Sequence, residues 1–193
     1  MAPSHRRLAG LTDDLPVDEW SAYHAAAREA ALLAFGRAYE DGLLGRDLDP
    51  SPDGGPTYVV VGGPDDDLLV VAGAWPHDGA SCGRLVAPRE LLTLLLEDPD
   101  TTAVWCDEDS AACFALTAYR VPVAGSEMLL VAARSARLVG ETEAGVELAF
   151  DEGRVPAREW SREALDAFVH DRDGDAILIA ASRVPAIAHQ LRT

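Results

Sequence analysis

The chain contains no lysine and no asparagine, and all 16 of its basic Lys/Arg positions are arginine. Both missing residues use A-rich codons, so the absence points to a high-GC bacterial genome rather than to a structural demand. Set against 33 acidic residues, the shortage of cations leaves a formal net charge of −17. Nucleic-acid affinity rests mainly on cation–phosphate contacts, so direct nucleic-acid binding is not expected. An anionic membrane surface repels the chain for the same reason. A basic protein is attracted and steered in quickly, although acidity of this kind also serves solubility.

Long apolar runs are missing as well. No stretch approaches the roughly 20 residues of a membrane span. The segment Met1–Asp14 carries His5, Arg6 and Arg7 with no apolar core after them, so it does not read as a signal peptide and the expected location is the cytoplasm. Cysteine is scarce: Cys82, Cys106 and Cys113 are the only three, and an odd count suggests reduced thiols. Cys106 and Cys113 flank an acidic turn and come close if their segments form a hairpin. The chain has no Gly-x-Gly-x-x-Gly, no Walker A loop, no Gly-x-Ser-x-Gly and no His-Glu-x-x-His, which lowers the expectation of an enzyme without excluding one.

What is present is a 193-residue chain, 48% hydrophobic, enough for one sizeable domain or two small units sharing a core. Thr57–Ala72 lies over Ala118–Ala133 without a gap, with Tyr58/Tyr119, Val60/Val121, Leu68/Leu129, Leu69/Leu130, Val70/Val131 and Ala72/Ala133 identical. Gly83–Glu90 then matches Gly153–Glu159 with one gap, and each copy continues through an apolar helical stretch, an acidic turn and a short apolar strand. The pattern suggests an internal duplication packed as one globular domain.

Residues 1–14 read as a flexible tail and 15–46 as an N-terminal helix, in which Trp20, His24, Ala27, Ala31, Ala34, Phe35 and Ala38 recur at helical spacing. Pro and Gly mark 47–56 as a linker. Unit one spans 57–107: a hairpin of Tyr58–Val61 with Leu68–Ala74, a loop Trp75–Gly83, a helix Pro88–Glu97 and a strand Ala103–Cys106. Unit two spans 108–193: strands Cys113–Val121 and Met128–Ala133, an extra hairpin of Arg137–Thr142 with Val146–Phe150, a helix Ala157–His170, a strand Asp175–Ala181 and a last helical turn or two over Pro185–Leu191. The expected class is α+β, an N-terminal helix followed by two similar β-hairpin–helix–strand units, with a largely antiparallel sheet. One sheet and two facing sheets are both compatible with this order. The succession of strand, Gly-Arg, Pro, helix and strand resembles the domains of actinobacterial SseB-type proteins, and the resemblance carries no functional residue across.

Acidic turns are the main candidates for recognition. Asp65, Asp66 and Asp67 fall between two strands, and Asp107, Glu108 and Asp109 follow one. Asp171-Arg172-Asp173-Gly174-Asp175 alternates carboxylates as an EF-hand loop does, but Gly174 falls at the fourth position and Ser182 stands where the bidentate Glu belongs. Turns favour Asp in any case, so neither a metal nor another cofactor is expected. Trp75 ends a strand beside Pro76, where an exposed indole would anchor an interface. His77, Cys82 and Arg84 form an alternative pocket in which a His-activated thiol would act, with no oxyanion donor evident. His24 reads as a core or boundary residue, and His170 as a helix C-terminal cation.

The leading expectation is a non-catalytic acidic protein-binding module, an adaptor, inhibitor or immunity-type partner of a basic protein, using Trp75, Asp65, Asp66, Asp67, Asp107, Glu108 and Asp109. The alternatives are a small-molecule sensor or enzyme with a pocket between the two units, and a structural subunit docking through its first helix. Oligomeric state is not legible.

Overall fold

The computed structural model describes residues 5–8, 29–37, 54–62, 68–106, 112–123, 125–143, 145–150, 160–172 and 174–192. Runs that are apolar at every residue, rather than at alternate ones, belong to strands covered on both faces. Leu68–Ala72, Met128–Ala133 and Ala176–Ala180 are such runs, and all three lie inside one nine-stranded sheet. Its strands are β1 (His5–Leu8), β2 (Thr57–Gly62), β3 (Leu68–Ala74), β4 (Ser81–Pro88), β5 (Thr102–Cys106), β6 (Ala112–Val123), β7 (Ser126–Thr142), β8 (Gly145–Phe150) and β9 (Asp175–Ala180). The order across the sheet is β1-β5-β6-β7-β9-β4-β3-β2, with β8 also on β7. Only β1 with β5 is parallel; the other pairs are antiparallel.

Helices cover both faces. On one lie α2 (Arg89–Glu97) and α4 (Val184–Arg192). Leu91, Leu92, Leu95 and Leu96 of α2 and Ile187, Ala188 and Leu191 of α4 meet Leu69, Val71, Leu85, Leu129, Val131, Ile177 and Ile179. The Arg89 guanidinium donates to the Leu191 carbonyl at 3.0 Å, capping the end of α4, and Arg192 pairs with Glu97 at 2.7 Å. On the other face lie α1 (29–37) and α3 (Arg162–Asp171). α1 sets Ala31 and Phe35 on Val59, Val70, Ala72 and Val86, while α3 sets Leu165 and Val169 on Leu130, Ala132, Ala176 and Leu178. Beyond α3, β8 pairs with the far half of β7 and returns to contact β1; Leu148 and Phe150 pack on Val104, Cys106, Cys113 and Ala115.

The α+β class and the largely antiparallel sheet agree with the sequence reading. Several details differ. Ser81–Pro88 is a central strand, although most of it reads as loop or helix approach; Gly83 and Pro88 leave only a short apolar run between them. Met128–Ala133 and Arg137–Thr142 belong to one 17-residue strand. It looks like two because its partner on one side changes from β9 to β8. His5–Leu8, read within a tail, pairs beside β5. α3 starts at Arg162 after an N-cap at Ser161, whose hydroxyl accepts from the Ala164 N–H at 3.2 Å. Ala164 is therefore exposed, and the buried stripe is Leu165 and Val169 with Phe168 beside it. Cys106 and Cys113 form a disulfide, contrary to the expectation of three reduced thiols. They are register partners across β5 and β6, which brings their Cβ atoms onto the same face.

Candidate binding cleft

β3 ends in a six-residue turn. The Trp75 N–H donates to the Ala80 carbonyl at 2.8 Å, the Gly79 N–H donates to the Trp75 carbonyl at 2.8 Å, and Gly79 takes φ +69°. The Asp78 carboxylate accepts from the Ala80 N–H at 2.9 Å. That bond above all, with the neighbouring His77 and Arg162 adding to it, holds the Asp78 carboxyl below its ordinary value against the opposing effect of desolvation. The turn lays Trp75 against the first turn of α3. Arg162 stands over the indole, 4.4 Å from guanidinium carbon to ring centroid. Its carboxylate neighbours, Asp78 at 3.8 Å and Asp166 at 3.6 Å, are both beyond hydrogen-bonding range.

Trp75 and Arg162 form one wall of a cleft of about 490 Å³. Met128, Val123 and Ala180 supply apolar surface, and Ser126 and Ser182 supply hydroxyls. Gly54–Pro56 closes one side. The cleft thus draws on both halves of the chain, at the end of the sheet where β3, β6 and β9 finish and β7 begins. Trp75 is 9% exposed, and its Nε1–H is buried without a hydrogen-bond acceptor among the described residues.

The residues singled out from sequence separate here. Trp75 is covered by Arg162 rather than exposed. Asp65, Asp66, Asp67, Asp107, Glu108 and Asp109 lie outside the described residues, as do Trp20, His24 and Asp173. The strands flanking the two acidic turns end at Gly62 and Cys106, on the side of the sheet away from the cleft. His77, Cys82 and Arg84 do not converge. His77 is exposed and pairs with Asp78 at 3.0 Å; Cys82 is fully buried under α3; Arg84 lies over the Phe35 ring at 5.6 Å. Arg162 and Met128, which do line the cleft, were not distinguished beforehand. A single Arg opening a helix and a Met in an apolar run carry no local mark of the cavity they share. Among the described residues no three His, Cys, Asp or Glu side chains gather as metal donors. No helix among the described residues is long and apolar enough to cross a membrane.

Burial pushes the Cys82 thiol from its ordinary 9.0 up to about 12, and the nearby Asp166 charge adds to the rise. At pH 8 the thiol is then overwhelmingly protonated. A raised value also means that the folded state holds this proton more tightly than the unfolded one. The associated stability is complete below pH 9 and is lost as pH rises toward 12. Urea midpoints of the wild type are therefore expected to fall between pH 8.5 and 11, and those of Cys82→Ala to fall less. Parallel declines in the two proteins would exclude Cys82 as a source of alkaline weakening.

Set against protein-family models the chain matches none, and no curated protein matches it either.

Proposed function

We propose that this chain is a non-catalytic binding protein, an adaptor, inhibitor or immunity-type molecule, that engages a basic partner through the acidic end of its sheet. The observation that carries the reading is a convergence. Beyond its pairing with Ala112 at Arg137, β7 continues, among the described residues, paired with β8, which also contacts β1. This β7–β8 arm presents Glu141, Glu143 and Glu147, all exposed, beside Val139, which is 56% exposed. In the sequence Asp107, Glu108 and Asp109 follow β5 and Asp65, Asp66 and Asp67 precede β3, and all six lie outside the described residues. Carboxylates around an exposed apolar residue suit a cationic surface with an apolar contact at its centre, and a net charge of −17 steers such a partner in.

Other features fit a binding role. Cys82 is buried, and the described stripe of α1 is already used on its own sheet, which leaves less of the first helix to dock elsewhere. We also propose that the matching hairpins β2–β3 and β6–β7 descend from a duplication, since Tyr58 with Leu69 and Tyr119 with Leu130 each face the helix of their own unit.

The test is retention of partners from a lysate of the source organism by tagged protein at low and moderate salt. One stoichiometric basic protein, lost at higher salt and lost with Asp107→Arg, Glu108→Arg, Asp109→Arg combined with Glu141→Arg and Glu143→Arg, is the expected result. Undiminished retention by that variant would sink the proposal.

A further inference from the structure

The cleft stands at the opposite end of the sheet from the acidic arm, and its chemistry is different. Buried polar groups without partners are rare and call for a reason. Here one such group, the Trp75 indole N–H, belongs to a wall of the cleft, beneath a guanidinium whose nearest carboxylates are too distant to accept hydrogen bonds. One buried donor lacks an acceptor at this place, and the partly exposed Arg162 above it is held only by long ion pairs to Asp78 and Asp166. Arginine binds carboxylates through paired N–H groups in a planar fork, and such charge-assisted bonds are among the strongest available to a side chain.

The rest of the lining limits what can bring that acceptor. Met128, Val123 and Ala180 form an apolar surface, and the volume falls in the range of roughly 300–1,000 Å³ typical of small-ligand sites. Glu127 also lines the cleft, where it accepts from Arg120 at 2.7 Å. A second carboxylate or a polyphosphate would face this acid and the strongly negative field of the whole chain. One negative group with an apolar body is compatible with both ends.

We propose that the cleft is a binding site for a small monocarboxylate with an apolar body. The carboxylate draws Arg162 from its position across the indole and accepts from both the guanidinium and the Trp75 Nε1–H. The apolar part rests on Met128, Val123 and Ala180, and Ser126 and Ser182 border the opening.

The experiment is a titration of 15N-labelled protein with phenylacetate, read at the tryptophan indole N–H resonances. Trp75 is assigned by the peak missing from Trp75→Phe. Phenylacetamide, benzylamine and inorganic phosphate serve as comparison probes. Saturable movement of the Trp75 peak is expected, with a dissociation constant of about 1 mM or tighter for a fragment of this size. Phenylacetamide and the Arg162→Gln variant should each bind about tenfold or more weakly, and benzylamine should not bind. The dispersed spectrum of Arg162→Gln shows in the same measurement that the variant is folded. Trp75→Phe, followed by equilibrium dialysis, should retain the stacking surface and lose several-fold in affinity. No saturable shift with phenylacetate, equal affinity for Arg162→Gln, or phosphate binding as tightly as phenylacetate would each overturn the proposal.

Discussion

Replacing Gly83 by alanine is expected to lower the melting temperature by about 6–12 °C, a loss of roughly 3 kcal/mol at the 2–4 °C per kcal/mol usual for chains of this length. Two independent costs meet at this position. Gly83 has φ +101°, a region where a side chain costs roughly 1–3 kcal/mol. Its neighbours also leave no room: a Cβ would overlap the Ala176 carbonyl oxygen and stand 3.1 Å from both Ile177 Cα and Val169 Cβ. Two of those atoms are backbone of β9 and cannot turn aside. The site matters because the β2–β3–β4 half of the sheet joins β9 through the pairs Gly83↔Ile177 and Arg84↔Ala176, with one further bridge at Leu85↔Gly174. Gly79, with φ +69° and open space around it, is the control. Gly79→Ala should cost only its local strain. Equal losses in the two variants, by differential scanning calorimetry, would show that the β4–β9 contact is not close-packed.

Tyr58→Phe is expected to cost about 1–3 kcal/mol, far more than removing an exposed hydroxyl. The Tyr58 ring crosses Gly73, where a Cβ would lie 2.8 Å from ring carbons, and its hydroxyl reaches β9. There it donates to the Leu178 carbonyl at 2.9 Å and accepts from the Ala180 N–H at 2.8 Å. Those are the groups a ladder neighbour would satisfy, but β4 has already diverged from β9 after Ile177. One phenol takes the place of the missing strand. Burial drives its ionisation well above the ordinary tyrosine value, so like Cys82 it contributes stability that is lost at high pH. Phenylalanine keeps the ring and leaves two buried backbone groups without partners. Tyr58→Ala should add the loss of the ring, for a total of about 3–5 kcal/mol or more. Tyr119 occupies the matching place in the second hairpin, half-buried against the α3 face, and Tyr119→Phe should be close to neutral. Urea unfolding with a common m-value would separate the three. A Tyr58→Phe loss no larger than that of Tyr119→Phe would mean that water satisfies Leu178 and Ala180 instead.

The acidic arm and the cleft were legible to different degrees. The acidic turns at 65–67 and 107–109 stand out in the sequence, because turn residues and charge are local properties, whereas Glu141, Glu143 and Glu147 read only as part of an extra hairpin. The cleft was not legible. Trp75 could be noticed, but its cover comes from Arg162, 87 positions further along the chain, and its partners Val123, Met128 and Ala180 are ordinary core residues until three strand ends meet.

The pattern of side chains by itself determined the class, the strands with long apolar runs and the helices α2 and α4. Those follow from local propensity and from the need to bury apolar runs. Tertiary structure alone decided that β9 lies between β7 and β4, that Cys106 bonds Cys113 and that Trp75 is covered. Backbone hydrogen bonds are the same for every residue, and strands buried on both faces show no alternation. Their sequences therefore do not specify a neighbour, and the order of strands emerges only when all the faces must be covered at once.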